Sequence, residues 1–343
     1  MRPTFSIIFF TVASGAGYGL WLLMALANLL LWPEHHQGDG IELILLPQLL
    51  TVGLGAGFLL VSSGLASSLG HLGKPQRAWR AFSQWRSSWL SREGISAVLT
   101  YLPVLAIAFA ILHDGWLIPE TGTSGKFESS IWMMGTLPTV AGLLLVTGSL
   151  ATLYCTANIY ACLKPIRAWH NRYVIPAYLI FGIYSGGLFA WALTTLPQGR
   201  IHDLRYFLIG IVVFAIGAGL LKVSYWRFVD QGATLTTGNA TGLGALGTVR
   251  SFEQPHTEEN YLTHEMGFRV ARKHSRKLRL ICLLAGFVVP ALLALLCLAV
   301  PKLGMIAAWL SLLSGLLGIF IERWLFFAEA KHAVMLYYGA RSD

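Results

Sequence analysis

The segment from Ser68 to Ser96 reads SLGHLGKPQRAWRAFSQWRSSWLSREGIS, and it joins two long apolar runs. Its cationic side chains are interleaved with Trp79, Trp85 and Trp89. Tryptophan rings favour the headgroup depth of a bilayer, where neighbouring arginines face water or anionic lipid. The segment is therefore typical of an interfacial loop that connects two membrane-spanning helices.

The composition of the chain indicates the same environment. Of its 343 residues, 55% are hydrophobic and only 12% are charged, and the mean hydropathy is +0.61. Soluble domains carry about 25% charged residues, so this chain has too few polar groups to cover a soluble surface. A formal net charge of +9 would also suit a nucleic-acid partner. However, the cations cluster between apolar runs, which indicates membrane topology and no nucleic-acid partner.

Eight apolar runs are long enough to cross a bilayer as helices, which requires roughly 20 residues each. We therefore predict an all-α integral membrane protein with eight transmembrane helices in one domain over residues 1–343. The predicted spans are about 5–32, 44–70, 94–113, 131–160, 173–195, 206–226, 279–300 and 303–328. The first run exceeds the length of a signal-peptide core, so we expect it to remain as a helix.

The distribution of charge predicts the orientation. Twenty of the 25 Lys and Arg residues lie in the loops 71–92 and 161–172, in the stretch 222–279 or in the end of the last span and the tail. The positive-inside rule then places both termini and these three loops in the cytoplasm. The long loop 227–278 is too polar to enter the bilayer. We interpret it as a docking surface for a soluble partner, with a passive disordered loop as the alternative.

The sequence gives little support for an iron–sulfur cluster, a haem or a transport pathway. None of the four cysteines forms a C-x-x-C pair, so we expect no iron–sulfur cluster in this chain, and no metal site. The ten histidines lie in loops or at span ends, which does not suit a transmembrane haem. The spans hold few carboxylates. Glu322 and Arg323 are adjacent, so we expect them to point in different directions, each with a structural partner elsewhere. A membrane transporter is the alternative from a different class.

A short motif occurs twice. KPQRAW at 74–79 returns as KPIRAW at 164–169, each time just after an apolar span. One interpretation is a recurring interfacial structure, in which Pro opens a short amphipathic helix with Arg and Trp at the headgroups. The other is an ancient duplication of a helix pair. The sequence leaves both interpretations open.

The interfacial segment also holds the strongest candidate site. His71 ends one apolar run and Glu93 begins the next. A quinone head group needs a hydrogen-bond donor, a carboxylate that exchanges protons and an apolar slot, so this pair suits quinone chemistry. Three residues are candidates for the walls of the slot: Trp79, Trp85 and Trp89. The structural alternatives are a helix-end histidine bonded to a carbonyl, and a carboxylate that stabilises a helix N-terminus beside a Ser91 cap.

The motif HLGKPQRAW at 71–79, followed by S-R-E at 91–93, resembles the signature of the DMSO reductase membrane anchor subunit (DmsC) family, which is related to the NrfD and polysulfide reductase anchors. The 22 positions from His71 to Glu93 match that pattern as well. The resemblance implies quinone or quinol contact by His71 and Glu93. The predicted quinone site comprises His71, Gly73, Arg77, Trp79, Trp85 and Glu93.

The resemblance also implies partners. Anchors of this family hold a molybdopterin catalytic subunit and a four-cluster iron–sulfur subunit to the bacterial inner membrane, and they carry no haem. The basic cytoplasmic face would receive the acidic iron–sulfur subunit. The predicted docking residues are Arg80, Arg86 and Arg167. This chain would then be a quinone-reactive subunit without catalytic residues of its own.

The direction of electron flow is a further expectation. The N-terminal sequence PTFSIIFFTVASGAGYGL resembles the sulfite dehydrogenase (SoeC-type) anchors, which implies electron flow from sulfite to quinone. The alternative is the anchor of a DMSO or polysulfide reductase, which oxidises quinol.

Overall fold

Long helices account for most of the computed structural model. It describes residues 4–35, 42–70, 72, 74–117, 127–196, 204–232, 236–250, 252–253 and 270–336. The helices are α1 (Phe5–His35), α2 (Glu42–Leu69), α3 (Trp89–Leu117), α4 (Phe127–Ala161), α5 (Val174–Leu193), α6 (Arg205–Asp230), α7 (Thr237–Thr241), α8 (Val270–Leu283), α9 (Val289–Ala299) and α10 (Gly304–Ala328). Within these described ranges the chain forms no β-strand.

Eight of the described segments are long and apolar enough to cross a membrane, which confirms the predicted all-α class and number of spans. A π-helical turn, Leu284–Val288, joins α8 and α9 into one span. Helix α3 begins at Trp89, five residues before the start of the predicted span 94–113. Glu93 therefore lies inside a helix and not at its edge.

The helices bury two apolar cores. The first core lies among α1, α2, α3 and α4, around Trp21 and Leu145. The second lies among α5, α6, α8, α9 and α10, around Trp191 and Phe287. Helices α1 and α5 pack against each other and link the two cores. The candidate functional groups lie near this junction, at the end of the bundle where α3 begins and α10 ends.

Glycines allow the closest helix contacts. A methyl group at Gly19 of α1 would collide with the backbone of Gly182 in α5, and one at Gly186 would collide with the backbone of Gly19. In the same way, Gly318 of α10 touches the backbone of Gly286 in the π-helical turn. Lipid tails are as apolar as leucine, so close backbone contact of this kind is a principal source of helix association in a membrane.

The two copies of the repeated motif adopt different structures. The first forms a 3₁₀-helix, Pro75–Gln84, which has no buried residue, as expected for an interfacial segment. The second lies in turns, and its Trp169 is only 3% exposed. The indole Nε1 of Trp169 donates a hydrogen bond to the carbonyl of Phe326 at 2.9 Å. The interfacial interpretation is therefore wrong for the second copy, because its tryptophan is part of the core.

Candidate functional site

Glu93 is a buried carboxylate in the second turn of α3. Glu93 is 5% exposed and faces α4, where Thr156 Oγ1 donates a hydrogen bond to Glu93 Oε1 at 2.5 Å. The same hydroxyl lies 3.0 Å from the carbonyl of Thr152. A hydroxyl has one proton, so Thr156 can donate to an ionised Glu93 or turn to its own helix when Glu93 is protonated. The pair is therefore suited to a carboxylate that changes its protonation state.

Other hydroxyls continue this polar seam between α3 and α4. Thr152 Oγ1 donates to Ser96 Oγ at 3.0 Å and lies 3.4 Å from Thr100 Oγ1. Polar side chains at a helix–helix contact in a membrane hydrogen-bond across it, because lipid offers no partner. The seam starts at Glu93 and leads into the bundle along α3 and α4.

The start of α3 is tied to the interfacial segment. Ser91 Oγ donates to the carbonyl of Ala81, so it anchors the 3₁₀-helix to α3. The expectation that Ser91 caps α3 is therefore wrong. Arg92 donates from Nε to the carbonyl of Trp85 at 2.9 Å and from Nη2 to the carbonyl of Arg86 at 2.6 Å. These bonds fix the loop to the helix that carries Glu93.

The predicted wall and docking residues lie on an exposed surface. Trp79 is 66% exposed and Trp85 is 54% exposed. The guanidinium carbons of Arg80 and Arg86 lie 5.6 and 5.3 Å from the ring centres of Trp79 and Trp85, respectively. Arg77 is exposed on the same 3₁₀-helix. These side chains form an uncovered aromatic and basic face, whereas Glu93 is buried, so the wall role of the two tryptophans stays a prediction.

His71 and Gly73 lie outside the described residues, so their predicted roles also stay predictions. Helix α2 ends at Leu69 and α3 begins at Trp89, and the segment between them joins these two adjacent helix ends. In the sequence, His71 and Gly73 follow α2 and precede α3.

A second polar group, which we call the charged cluster, consists of Lys222, Glu322 and Arg323. All three are buried. The carboxylate of Glu322 accepts hydrogen bonds from Lys222 Nζ and from Arg323 Nε. The guanidinium carbon of Arg323 lies 4.2 Å from the centre of the Tyr178 ring, and Lys222 Nζ lies 3.9 Å from that of Tyr225. Two cations share one carboxylate here, and aromatic faces help to offset the excess positive charge.

The charged cluster corrects two expectations. Glu322 and Arg323 bind each other, so the idea that they point apart, each with a partner elsewhere, is wrong except for the contact of Glu322 with Lys222. The charge pattern counts Lys222 among the loop cations, although this residue lies within the predicted span 206–226. A single lysine inside an apolar span is the signal that predicts a buried carboxylate partner.

Similarity to known proteins identifies the family of this chain. The chain matches the DMSO reductase anchor subunit (DmsC) family over residues 1–339. It belongs to this family of anchor subunits. The chain is 31% identical to the C subunit of sulfite dehydrogenase from Allochromatium vinosum, over 98% of this chain and 99% of that protein. It is 23% identical to anaerobic dimethyl sulfoxide reductase chain YnfH of Escherichia coli, over 48% of this chain and 51% of that protein.

Family membership confirms the resemblance found in the segment 68–96. As a DMSO reductase-type anchor, the chain is a multi-pass membrane subunit of an oxidoreductase complex. In the described part of the anchor, no group of three or more His, Cys, Asp and Glu side chains is placed to hold a metal ion.

Arg167 of the anchor binds within the chain. Its Nη2 donates to the carbonyl of Phe228 at 3.3 Å, and its guanidinium carbon lies 4.7 Å from the centre of the Phe228 ring. Arg167 thereby holds the end of α6, and less of its charge is available to a partner. The exposed Arg80 and Arg86 remain the better docking candidates.

An ion-pair network lies at the end of the bundle where α6 and α10 end. Arg279 of α8 binds both carboxylate oxygens of Asp230, at 2.6 and 3.0 Å, and its Nε donates to Glu329 Oε1 at 2.9 Å. Burial raises the pKa of Glu329, while the pairing with Arg279 acts in the opposite direction. A bidentate arginine pair fixes geometry as well as charge. Arg279 therefore joins the start of the seventh span to the ends of α6 and α10.

Proposed function

We propose that this anchor passes electrons between a partner iron–sulfur subunit and membrane quinone, with Glu93 as the proton-exchanging group and His71 as a hydrogen-bond donor to a quinone oxygen. The observation that carries the proposal is the burial of Glu93 at the interfacial end of α3, where Thr156 binds it. An ionisable residue inside a span has a high cost and marks a functional site by default.

The chemistry requires such a group. Conversion of a quinone to a quinol takes up two electrons and two protons, one proton on each carbonyl oxygen. Glu93 would supply or accept one of these protons, and Thr156 would donate a hydrogen bond to the ionised carboxylate and accept one from the protonated carboxyl group. Positioned general acids and bases typically contribute about 10²–10⁴-fold in rate. The described residues fit this role, because they place one carboxylate with one hydroxyl partner beside an interfacial loop.

The partners and direction are also part of the proposal. A molybdopterin catalytic subunit and a four-cluster iron–sulfur subunit would bind on the cytoplasmic face of the bacterial inner membrane, against Arg80 and Arg86. The nearly full-length match with the C subunit of sulfite dehydrogenase supports electron flow from sulfite to quinone. The second candidate is a DMSO reductase-type anchor that oxidises quinol, which is supported by a match over about half of the chain.

The test uses the complex purified from its native host in mild detergent. We expect molybdenum and iron in the complex, together with sulfite oxidation coupled to quinone reduction. The variants His71→Ala and Glu93→Gln should lower quinone-coupled turnover by about 10²-fold or more. Sulfite oxidation with a soluble artificial acceptor should persist, because the partner subunits remain intact. The matched control is Glu253→Gln, which changes an exposed carboxylate.

The outcomes separate the alternatives. Quinol-driven DMSO reduction without sulfite oxidation would select the reductase direction. Normal quinone turnover in both His71→Ala and Glu93→Gln would contradict the site. A polypeptide that purifies alone, without molybdenum or iron, would contradict the proposed partners.

A further inference from the structure

A small cavity lies between Glu93 and the charged cluster. Helices α1, α4, α5 and α10 surround it, and its volume is about 20 Å³. Thr156, which binds Glu93, lines one part of the cavity, and Arg323 of the charged cluster lines another. The cavity therefore separates two ionisable groups that the proposed function has so far treated independently.

An unpaired donor lies at this cavity. Arg323 is 3% exposed, and its Nη1 has no hydrogen-bond partner among the residues that the structure describes. Its Nε is already bonded to Glu322. Buried polar groups in proteins nearly always have a partner, either protein or ordered water. The N–H groups of Nη1 therefore require an acceptor, and the cavity that Arg323 lines can hold one.

The other polar groups that line the cavity are hydroxyls, and one of them, the Tyr178 hydroxyl, has no hydrogen-bond partner among the described residues. Thr11, Ser14 and Ser185 line it, and each hydroxyl donates its proton to a backbone carbonyl of its own helix, at 3.0, 2.6 and 2.7 Å, respectively. The proton of Thr156 is directed to Glu93 in the same way. The cavity thus presents one cationic donor, the unpaired hydroxyl of Tyr178 and several hydroxyl oxygens with unused lone pairs.

Water is the ligand that fits this arrangement. A metal cation is disfavoured by Arg323 and Lys222, and an anion would find only Arg323 and the Tyr178 hydroxyl as donors among hydroxyl oxygens whose lone pairs repel it. A water molecule accepts a hydrogen bond from Arg323 Nη1 and donates two to hydroxyl oxygens, which satisfies all three groups. The volume holds about one water, and it is far below the several hundred Å³ of a site for a larger organic ligand.

We propose that one ordered water in this cavity joins Glu93 to the charged cluster. The water donates to Thr156 Oγ1, Thr156 donates to Glu93, and the water accepts from Arg323 Nη1. The cluster has two cations and one carboxylate, so it carries one excess positive charge. When Glu93 transfers its proton to a quinone oxygen, a carboxylate remains on Glu93. The hydrogen bonds through Thr156 and the water connect this carboxylate to the positively charged cluster, which stabilises the carboxylate. This inference rests on the proposed role of Glu93.

The test fills the cavity without touching Glu93. A Cβ atom at Gly15, which lines the cavity, would meet no other atom within 4 Å, so Gly15→Val can place methyl groups where the water lies. Gly55→Val is the matched control, because a Cβ at Gly55 also meets nothing within 4 Å and Gly55 is exposed on α2. Both variants make the same change of helix propensity.

Two readouts are measured on the purified complex. Redox-triggered infrared difference spectra, recorded in H₂¹⁶O and H₂¹⁸O, should show a band of a strongly bonded internal water. The band should be present in the wild type and in Gly55→Val but absent in Gly15→Val. Quinone-coupled turnover of Gly15→Val should fall about tenfold, as expected for the loss of one charge-assisted hydrogen bond. Turnover of Gly55→Val should stay at the wild-type level.

A second pair of variants keeps the test decisive if Gly15→Val fails to fold. Thr156→Val should abolish the water band and lower turnover, and Thr156→Ser should restore both. The proposal is overturned if the band and turnover of a folded Gly15→Val variant match those of Gly55→Val while Glu93→Gln is inactive. Full quinone turnover in Glu93→Gln would instead overturn the proposed function. In that case the water band would still show whether the cavity holds an ordered water.

Discussion

At the scale of single residues, the charged cluster carries a large desolvation cost. Lys222, Glu322 and Arg323 are all buried, so three charges are removed from water within a membrane protein. Desolvation of each charge costs several kcal/mol, and only close pairing offsets it. Glu322 is the only carboxylate that both cations contact in the described cluster, so the three residues are not equivalent.

Because Glu322 pairs with both cations, substitutions of Glu322 and Lys222 are expected to lower stability by different amounts. Glu322→Gln leaves two buried cations without a counter-charge and should lower the free energy of unfolding by about 3–5 kcal/mol. Lys222→Met keeps the Glu322–Arg323 pair and a side chain of similar length, so its effect should be smaller. Thermal unfolding of the detergent-solubilised complex measures both, with the exposed Lys302→Met as the control. Equal losses for Glu322→Gln and Lys222→Met would contradict the shared-carboxylate arrangement.

The sequence identified the carboxylates of the site but not their partners. Glu93 and Glu322 are conspicuous because carboxylates are rare in apolar runs. Thr156 is 63 positions from Glu93, and Lys222 is 100 positions from Glu322. Pairing at such separations depends on which helices become neighbours, and local pattern does not contain that information. The cavity lined by Arg323 escaped prediction for the same reason.

At the scale of helices, the contact between α1 and α5 provides a sharp test. A methyl group at Gly186 would collide with the backbone of Gly19, whereas one at the next residue, Gly187, would lie at an ordinary 3.7 Å from a Leu23 side chain. Overpacking typically costs about 1–3 kcal/mol, and Ala is favoured over Gly in a helix by about 1 kcal/mol at both positions. Gly186→Ala should therefore lower the unfolding temperature, and Gly187→Ala should leave it unchanged or raise it. Similar behaviour of the two variants would show that the helices do not approach this closely.

Helix number was predictable, whereas the start of α3 was not. Apolar length alone defines a span, so all eight were found from hydropathy. The start of α3 lies five residues before the predicted position, because Ser91 and Arg92 bind carbonyls of the preceding segment and polar residues thereby join the helix. The two copies of the KPxRAW motif diverge for a tertiary reason, since only Trp169 meets Phe326 of α10.

At the scale of the whole molecule, the ends of the bundle differ in charge. The loop 71–92, the turn around Arg167 and the Arg279 network lie at the ends of α2, α4, α6 and α10, and an alternating path through the membrane puts these ends on one side. The positive-inside rule predicts that this side is cytoplasmic. Glu93, the charged cluster and the exposed face of Arg80 and Arg86 would then all lie towards the cytoplasm, where we propose that an acidic redox partner docks.

Reporter fusions test this orientation directly. A fusion at Thr237, which follows α6, should be active with a cytoplasmic reporter and inactive with alkaline phosphatase, which requires the periplasm. A fusion at Lys302, in the turn between α9 and α10, should give the opposite result, because one span separates the two positions. The paired design controls for expression, since each fusion is read with both reporters. Periplasmic activity at Thr237 together with cytoplasmic activity at Lys302 would show that the orientation in the membrane is the reverse of the predicted one. The basic face and Glu93 would then face the periplasm, and the partner subunits would have to bind there.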